Sequence, residues 1–150
     1  MRMLCFKRAI IWACLFALLF PIVGRAKTMD TINTRLLDAI AKVRRAKTPA
    51  ARYKAAQRLG AITYERDCSS VDDKTIQALI SLLDIEDDGV RMWVASDLGD
   101  IGPRAKAAAP KLISILSVSD CMTWDHSSAA TIPIALKRMG IDPPVRNCNR

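Results

Sequence analysis

Apolar residues are distributed along this chain in two different ways. From Ala9 to Phe20 they form one uninterrupted run, AIIWACLFALLF, closed by Pro21. Beyond residue 28 they recur at spacings of three and four, which places side chains on one face of a helix. Val90, Val94, Leu98 and Ile101 make one such stripe, and Ala51, Ala55, Leu59 and Ile62 make another. Period-two alternation is missing, as are Asn-Gly or Asp-Gly pairs between apolar runs, so no sheet is expected.

The spacing predicts helices over Met29–Arg45, Pro49–Tyr64, Asp73–Leu83, Gly89–Ile101, Arg104–Val118 and Asp125–Met139. Their boundaries carry capping chemistry. Thr48 precedes a first-turn Pro49, while Asp72, Asp88 and Asp125 stand where they can accept from the first free N–H groups. Gly60, Gly99 and Gly140 fall near the ends of alternate helices, where a left-handed cap favours glycine.

Those glycines also expose a repeat. Arg52-x-x-Ala55-Ala56-x-x-Leu59-Gly60-x-Ile62 matches Arg91-x-x-Val94-Ala95-x-x-Leu98-Gly99-x-Ile101, with every pair 39 residues apart. A weaker third copy ends Ala135-Leu136-x-x-Met139-Gly140-Ile141. A helix pair of this length leaves an apolar face bare, and stacking on a neighbouring pair buries it.

The run Asp84-Ile85-Glu86-Asp87-Asp88-Gly89-Val90-Arg91, followed by Ala95-x-x-Leu98-Gly99-x-Ile101-Gly102 and Ala109-Pro110-x-Leu112-Ile113-x-Ile115-Leu116, resembles a HEAT repeat of the short phycobilisome-lyase type. The likeness covers Ile76 to Leu116 well, Ala51 to Ile62 moderately and the C-terminal third poorly. It departs from the family in about six extra residues around Glu65–Ser70 and in cysteines carried by loops. The resemblance implies an all-α fold, an armadillo-like α-solenoid of about three antiparallel helix pairs spanning residues 27–141, with a tail over 142–150. It implies a concave face lined by the second helix of each pair, and protein binding in preference to catalysis. An arginine in the position of Arg52 and Arg91 usually pairs with acids of the repeat turns, for which Asp84 or Asp88 would serve Arg91.

The first 26 residues change the charge picture. Arg2, Lys7 and Arg8 precede the apolar run, and Gly24-Arg25-Ala26 follows it, the pattern of a secretory signal peptide cleaved after Ala26. A run this short does not span a bilayer, which needs about 20 apolar residues. An uncleaved anchor is the alternative, and Cys14 lies inside the run, where no lipoprotein cysteine belongs. The full chain carries 23 Lys and Arg against 15 Asp and Glu, a net charge of +8. Four of those cations leave with the leader, so 19 against 15 remain, or +4. This remainder is polarised. Lys42, Arg44, Arg45, Lys47, Arg52, Lys54 and Arg58 follow one another with no acid between, whereas Glu65 to Asp100 holds ten acids and three bases. Such a cluster suits nucleic acid, but an exported chain has little access to it, and the aromatic interleaving of a single-strand binder is missing. Acidic protein, anionic lipid or envelope polymer fits the compartment better.

Cys68, Cys121 and Cys148 outlast the leader, an odd number in an oxidising space. In solenoid geometry Cys121 sits in the turn of the third pair. A helix of about 15 residues spans about 22 Å, and the tail from Gly140 extends about 26 Å, so Cys148 can reach Cys121. Three unpaired thiols are the alternative.

Catalytic chemistry finds little support. Asp125-His126-Ser127 holds the letters of a triad, but neighbours in sequence do not make its geometry, and His126 is the only histidine. The turn from Asp84 to Gly89 places acids at the first, third and fifth positions of a calcium loop, yet Ala95 stands where a bidentate Glu is required. A solvated turn at a helix start explains those acids. Phosphate loops, zinc spacings and nucleophile elbows are missing, so neither a metal nor a cofactor is expected. The concave face would offer Tyr53, Lys54, Gln57, Arg58, Met92, Trp93, Ser96 and Asp97, with Trp93 as an anchor or as an edge-of-core aromatic. Trp124 reads as a staple before its helix. The expectation is an exported, monomeric scaffold for another protein, such as an inhibitor or immunity-type partner of a secreted enzyme.

Overall fold

The computed structural model describes residues 31–64, 67–119 and 126–145. Among them lie six α-helices and no strand: α1 (Ile32–Arg45), α2 (Pro49–Tyr64), α3 (Asp73–Ile80), α4 (Asp88–Ile101), α5 (Ala109–Val118) and α6 (Ser128–Arg138). Short 3-10 turns at Cys68–Ser70, Ser81–Asp84 and Gly102–Ala108 complete the connections. Residues 1–30, with the expected leader, and Cys121, Trp124, Asp125 and Cys148 lie outside the described residues.

Every helix but α5, which follows Ala108 without a side-chain cap, starts where a side chain can accept its orphan N–H groups. Thr31 accepts from Thr34, Thr48 from Ala51, Asp72 from Thr75 at 2.7 Å and Ser127 from Ala130. The cap of α4 is Asp87, which accepts from the Val90 amide at 3.1 Å, and not Asp88. Asp88 opens the helix and instead receives the Ser128 amide at the start of α6. Gly102, with φ 72°, ends α4, and the long helix expected over Arg104–Val118 divides beyond it. A 3-10 segment then runs to Ala108 before α5 begins. Similarly, the end of Asp73–Leu83 tightens into 3-10 after Ile80.

Two of the three repeat glycines work differently from the cap expected of them. Gly60 and Gly99 lie inside their helices, and neither has positive φ. They are close-approach positions. A methyl group on Gly60 would sit 2.7 Å from Cε3 of Trp93, and one on Gly99 would sit 2.9 Å from Cα of Ala135. Gly140 does cap α6, with φ 76°. Its amide donates to Lys137 O and that of Ile141 to Leu136 O, both at 2.9 Å, which satisfies carbonyls that the helix leaves open.

Helix α4 occupies the middle of the molecule, with α2 on one side and α6 on the other. α1 packs on α2, α3 bridges α1 and α4, and α5 lies on α6. The stripe Val90, Val94, Leu98 and Ile101 is buried, and Leu36, Leu59, Leu79, Leu82, Leu112, Ile132 and Leu136 meet it or flank it in one core. In α2 the matching stripe is looser: Leu59 is buried, Ala55 and Ile62 are half-buried, and Ala51 is exposed. Packing explains the contrast, since α4 is enclosed by α2, α6 and α3, whereas α2 packs on α1 and α4 and keeps a groove open between α1 and itself.

Several polar bonds across the helix row join residues at similar separations. Asn33 holds Ser70 and Asp72, Arg44 donates to Ser81, Thr63 donates to Asp97, Asp88 accepts from Ser128 and Arg138 donates to Asp100. Partners in these bonds stand 34 to 40 residues apart, close to the 39-residue offset of the sequence copies.

Candidate functional site

The joint between α2 and α4 brings together Tyr53, Trp93, Thr63 and Asp97. Tyr53 and Trp93 meet edge to face, with centroids 6.4 Å apart and ring planes at 66°. Glycine on both helices makes room for them. A methyl on Gly89 would lie 2.5 Å from Cδ2 of Tyr53, and Gly60 accommodates the indole. Tyr53 remains 41% exposed, while the indole N–H of Trp93 is buried and finds no acceptor. Trp93 is therefore first an interhelical packing residue, and of this pair Tyr53 is the ring that reaches solvent.

One turn further along α4, Asp97 is fully buried. Its Oδ1 accepts from the Thr63 hydroxyl at 2.7 Å, and its Oδ2 has no partner. Burial pushes the carboxyl well above the usual carboxylate range, against the lowering effect of Thr63 and with Asp100 adding to the rise. Cys68 lies close by, donating to the Thr63 carbonyl at 3.5 Å. Burial raises its thiol too, reinforced by Asp100, Asp97 and Asp67. A thiol held protonated in this way is a poor nucleophile.

The eight residues expected on one binding face separate into three groups. Tyr53, Lys54, Gln57 and Arg58 are exposed on α2, and Trp93 and Ser96 are half-buried on α4. Met92, 7% exposed, and Asp97 are buried and offer no surface. Helical periodicity gives the reason. Met92 shares a face with Gly99, which lies against α6, whereas Trp93 and Asp97 share the face that meets α2. Between them a narrow strip carries Gly89, Ser96 and the exposed Asp100. Across on α6, Ile134 is 54% exposed, and Arg138 reaches Asp100 at 2.5 Å. Asp100 and Ile134 escaped the sequence reading, although the step from Ser96 to Asp100 is one helical turn.

The basic run is not a uniform patch. Lys42 pairs with Asp38 at 2.5 Å, Arg44 donates to Ser81, Arg45 donates to the Ala41 carbonyl of its own helix, and Arg52 reaches Asp87 at 3.5 Å. Lys47, Lys54 and Arg58 are exposed without an ion pair among the described residues. Arg91 meets neither Asp84 nor Asp88, since its Nε donates to the Leu83 carbonyl at 3.3 Å. Three acids of the calcium-like turn are engaged as well: Asp84 by Lys111, Asp87 by Arg52 and the α4 cap, and Asp88 by Ser128, while Glu86 is exposed.

His126 is exposed beside the Ser127 cap, whose hydroxyl is committed to Ala130. Among the described residues no group of His, Cys, Asp and Glu is arranged to hold a metal ion, and no helix is long and apolar enough to cross a membrane. No family model, curated protein or solved structure matches the chain.

Proposed function

We propose that this chain is an exported helical-repeat scaffold of the HEAT type that binds another protein and carries out no catalysis of its own. The observation that carries the reading is the Tyr53–Trp93 pair, a braced aromatic at the α2–α4 joint with one ring open to solvent. Aromatic side chains held rigid before binding lose little entropy on capture, which is why they anchor protein interfaces. Exposed Gln57 and Lys54 flank the ring, and the strip through Ser96 and Asp100 continues toward Ile134. The solenoid reading is supported by the shared spacing of sequence copies and cross-helix bonds, and by the order α2, α4, α6 of the packed row. Binding to anionic polymer or lipid through the whole basic run is less well supported, because Lys42, Arg44, Arg45 and Arg52 are each engaged within the chain.

Affinity capture from envelope extract tests the proposal. The wild-type protein should retain a defined polypeptide, and Tyr53→Ala should reduce that capture about tenfold, the loss of an interface anchor worth about 1.4 kcal/mol. Equal capture by Tyr53→Ala, or no protein retained by the wild type, overturns it.

A further inference from the structure

The end of the helix row carries its own chemistry. On α4, the residues that receive α2 are Trp93 and Asp97, which meet Gly60 and Thr63. Thirty-nine residues earlier, the matching positions of α2 hold Lys54 and Arg58. Both are exposed and neither has an ion pair among the described residues. Helix α2 thus presents outward the face on which a preceding helix of the row would lie, with cations in place of an indole and a carboxyl.

That face is concave. A groove of about 520 Å³ runs between α1 and α2, from Thr34 to Lys42, with Arg58 on its α2 side. Nine residues of α1 make it about 12 Å long, or two helical turns. Ala39, Ala55 and Ile62 form an apolar lining, and Asp38 is the one acid among its lining residues. A polar end-cap would need charge alone. Here four apolar lining residues sit among five polar or charged ones in a groove of helical dimensions.

We propose that this end face is a docking surface for an acidic amphipathic α-helix of another protein, which extends the row and sets its carboxylates against Arg58 and Lys54. The proposal rests on the protein-binding reading; it shares Lys54 with the Tyr53 face, but its groove is lined by Arg58 and not by Tyr53. Charge argues against the other occupants. A second copy would approach with the far end of the row, where Lys137 is exposed and Arg138 is paired with Asp100, so that end offers no excess of carboxylates. The chain's own first 30 residues hold Arg2, Lys7, Arg8, Arg25 and Lys27 against Asp30 alone. A flat anionic bilayer would leave the trough unfilled.

The probe is a labelled 18-residue Glu/Ala/Leu helical peptide with Glu at every fourth position, titrated by fluorescence anisotropy beside its Gln-for-Glu counterpart. The Glu peptide should bind at least about tenfold more tightly than the Gln peptide, and less tightly as salt rises, since rim charges are screened within about 10 Å at 0.1 M. Arg58→Glu should lower its affinity at least about tenfold, with helical circular dichroism unchanged, and Arg58→Lys should retain most of the binding. Lys137→Glu, at the far end, should have no effect. Tyr53→Ala should leave peptide binding within twofold, which separates failure here from failure of the aromatic face. Equal affinity for the two peptides, or indifference to Arg58→Glu, overturns the proposal. So does binding to phosphatidylglycerol vesicles without binding to the peptide, or self-association that Arg58→Glu abolishes.

Discussion

Replacing Asp97 by asparagine should stabilise the protein, by an amount that depends on pH. The carboxyl is fully buried between α2 and α4, with Thr63 as its one partner and Oδ2 unsatisfied. Holding a group of ordinary pKa 3.8 protonated at pH 7 costs at most about 4 kcal/mol, at about 1.4 kcal/mol per pH unit. Asparagine avoids that cost at every pH. Its carbonyl keeps the Thr63 bond, and its amide inherits an unsatisfied position that the protonated acid already has, so the desolvation terms of about 1–3 kcal/mol nearly cancel. The sign follows from the raised folded value. The acid favours the folded state fully below 3.8 and loses that advantage as pH rises toward its folded pKa. Urea unfolding followed by far-ultraviolet circular dichroism should therefore find the two proteins nearly equal at pH 4. Asp97→Asn should then gain by about 1 kcal/mol or more per pH unit on the way to pH 7, until the folded pKa is passed. A stability difference that does not change with pH, or that shrinks as pH rises, would refute the reasoning.

Gly99→Ala should cost about 1–3 kcal/mol despite alanine's better helix propensity, because the new methyl meets the Ala135 backbone at 2.9 Å; a rise in melting temperature would contradict the close-approach role. Asp87→Ala removes both the α4 cap and the Arg52 partner, and should lower stability by about 1–2 kcal/mol in chemical unfolding. Its effect should be less than additive with Arg52→Ala. Leu98→Ala, at a fully buried site, should cost about 2–5 kcal/mol. Cys68, buried and with its thiol raised, should react slowly with iodoacetamide in the folded protein and rapidly in urea, as peptide mass mapping would show.

Much of the helical frame was legible in the sequence, and the reasons are local. Pro49–Tyr64 forms as the spacing predicts, and Thr48 and Asp72 cap the helices they precede. Both are decisions made within a few residues. The glycines show where that reasoning ends. Gly60 and Gly99 look like caps from their place near a helix end, but their role is fixed by Trp93 and Ala135, which stand 33 and 36 residues further along the chain. The binding face failed for the same reason at Met92 and Asp97. Periodicity identifies the face each residue occupies, but only the packed neighbour decides whether that face is covered. The 39-residue offset held that information in part, since a repeat places α4 between the copies at α2 and α6, while α2 carries the first of the copies.

The central place of α4 has a mechanical consequence. Because α2 and α6 each lean on this one helix, the two ends of the row communicate chiefly through a shared wall. Its α2 side is set by Gly60 and Trp93 and its α6 side by Gly99 and Ala135. A partner that tightens the Tyr53 end can stiffen the Ile134 end only by immobilising α4. Paired substitutions at the two ends should then be additive while α4 stays packed, and should become coupled once a cavity at Leu98 loosens it.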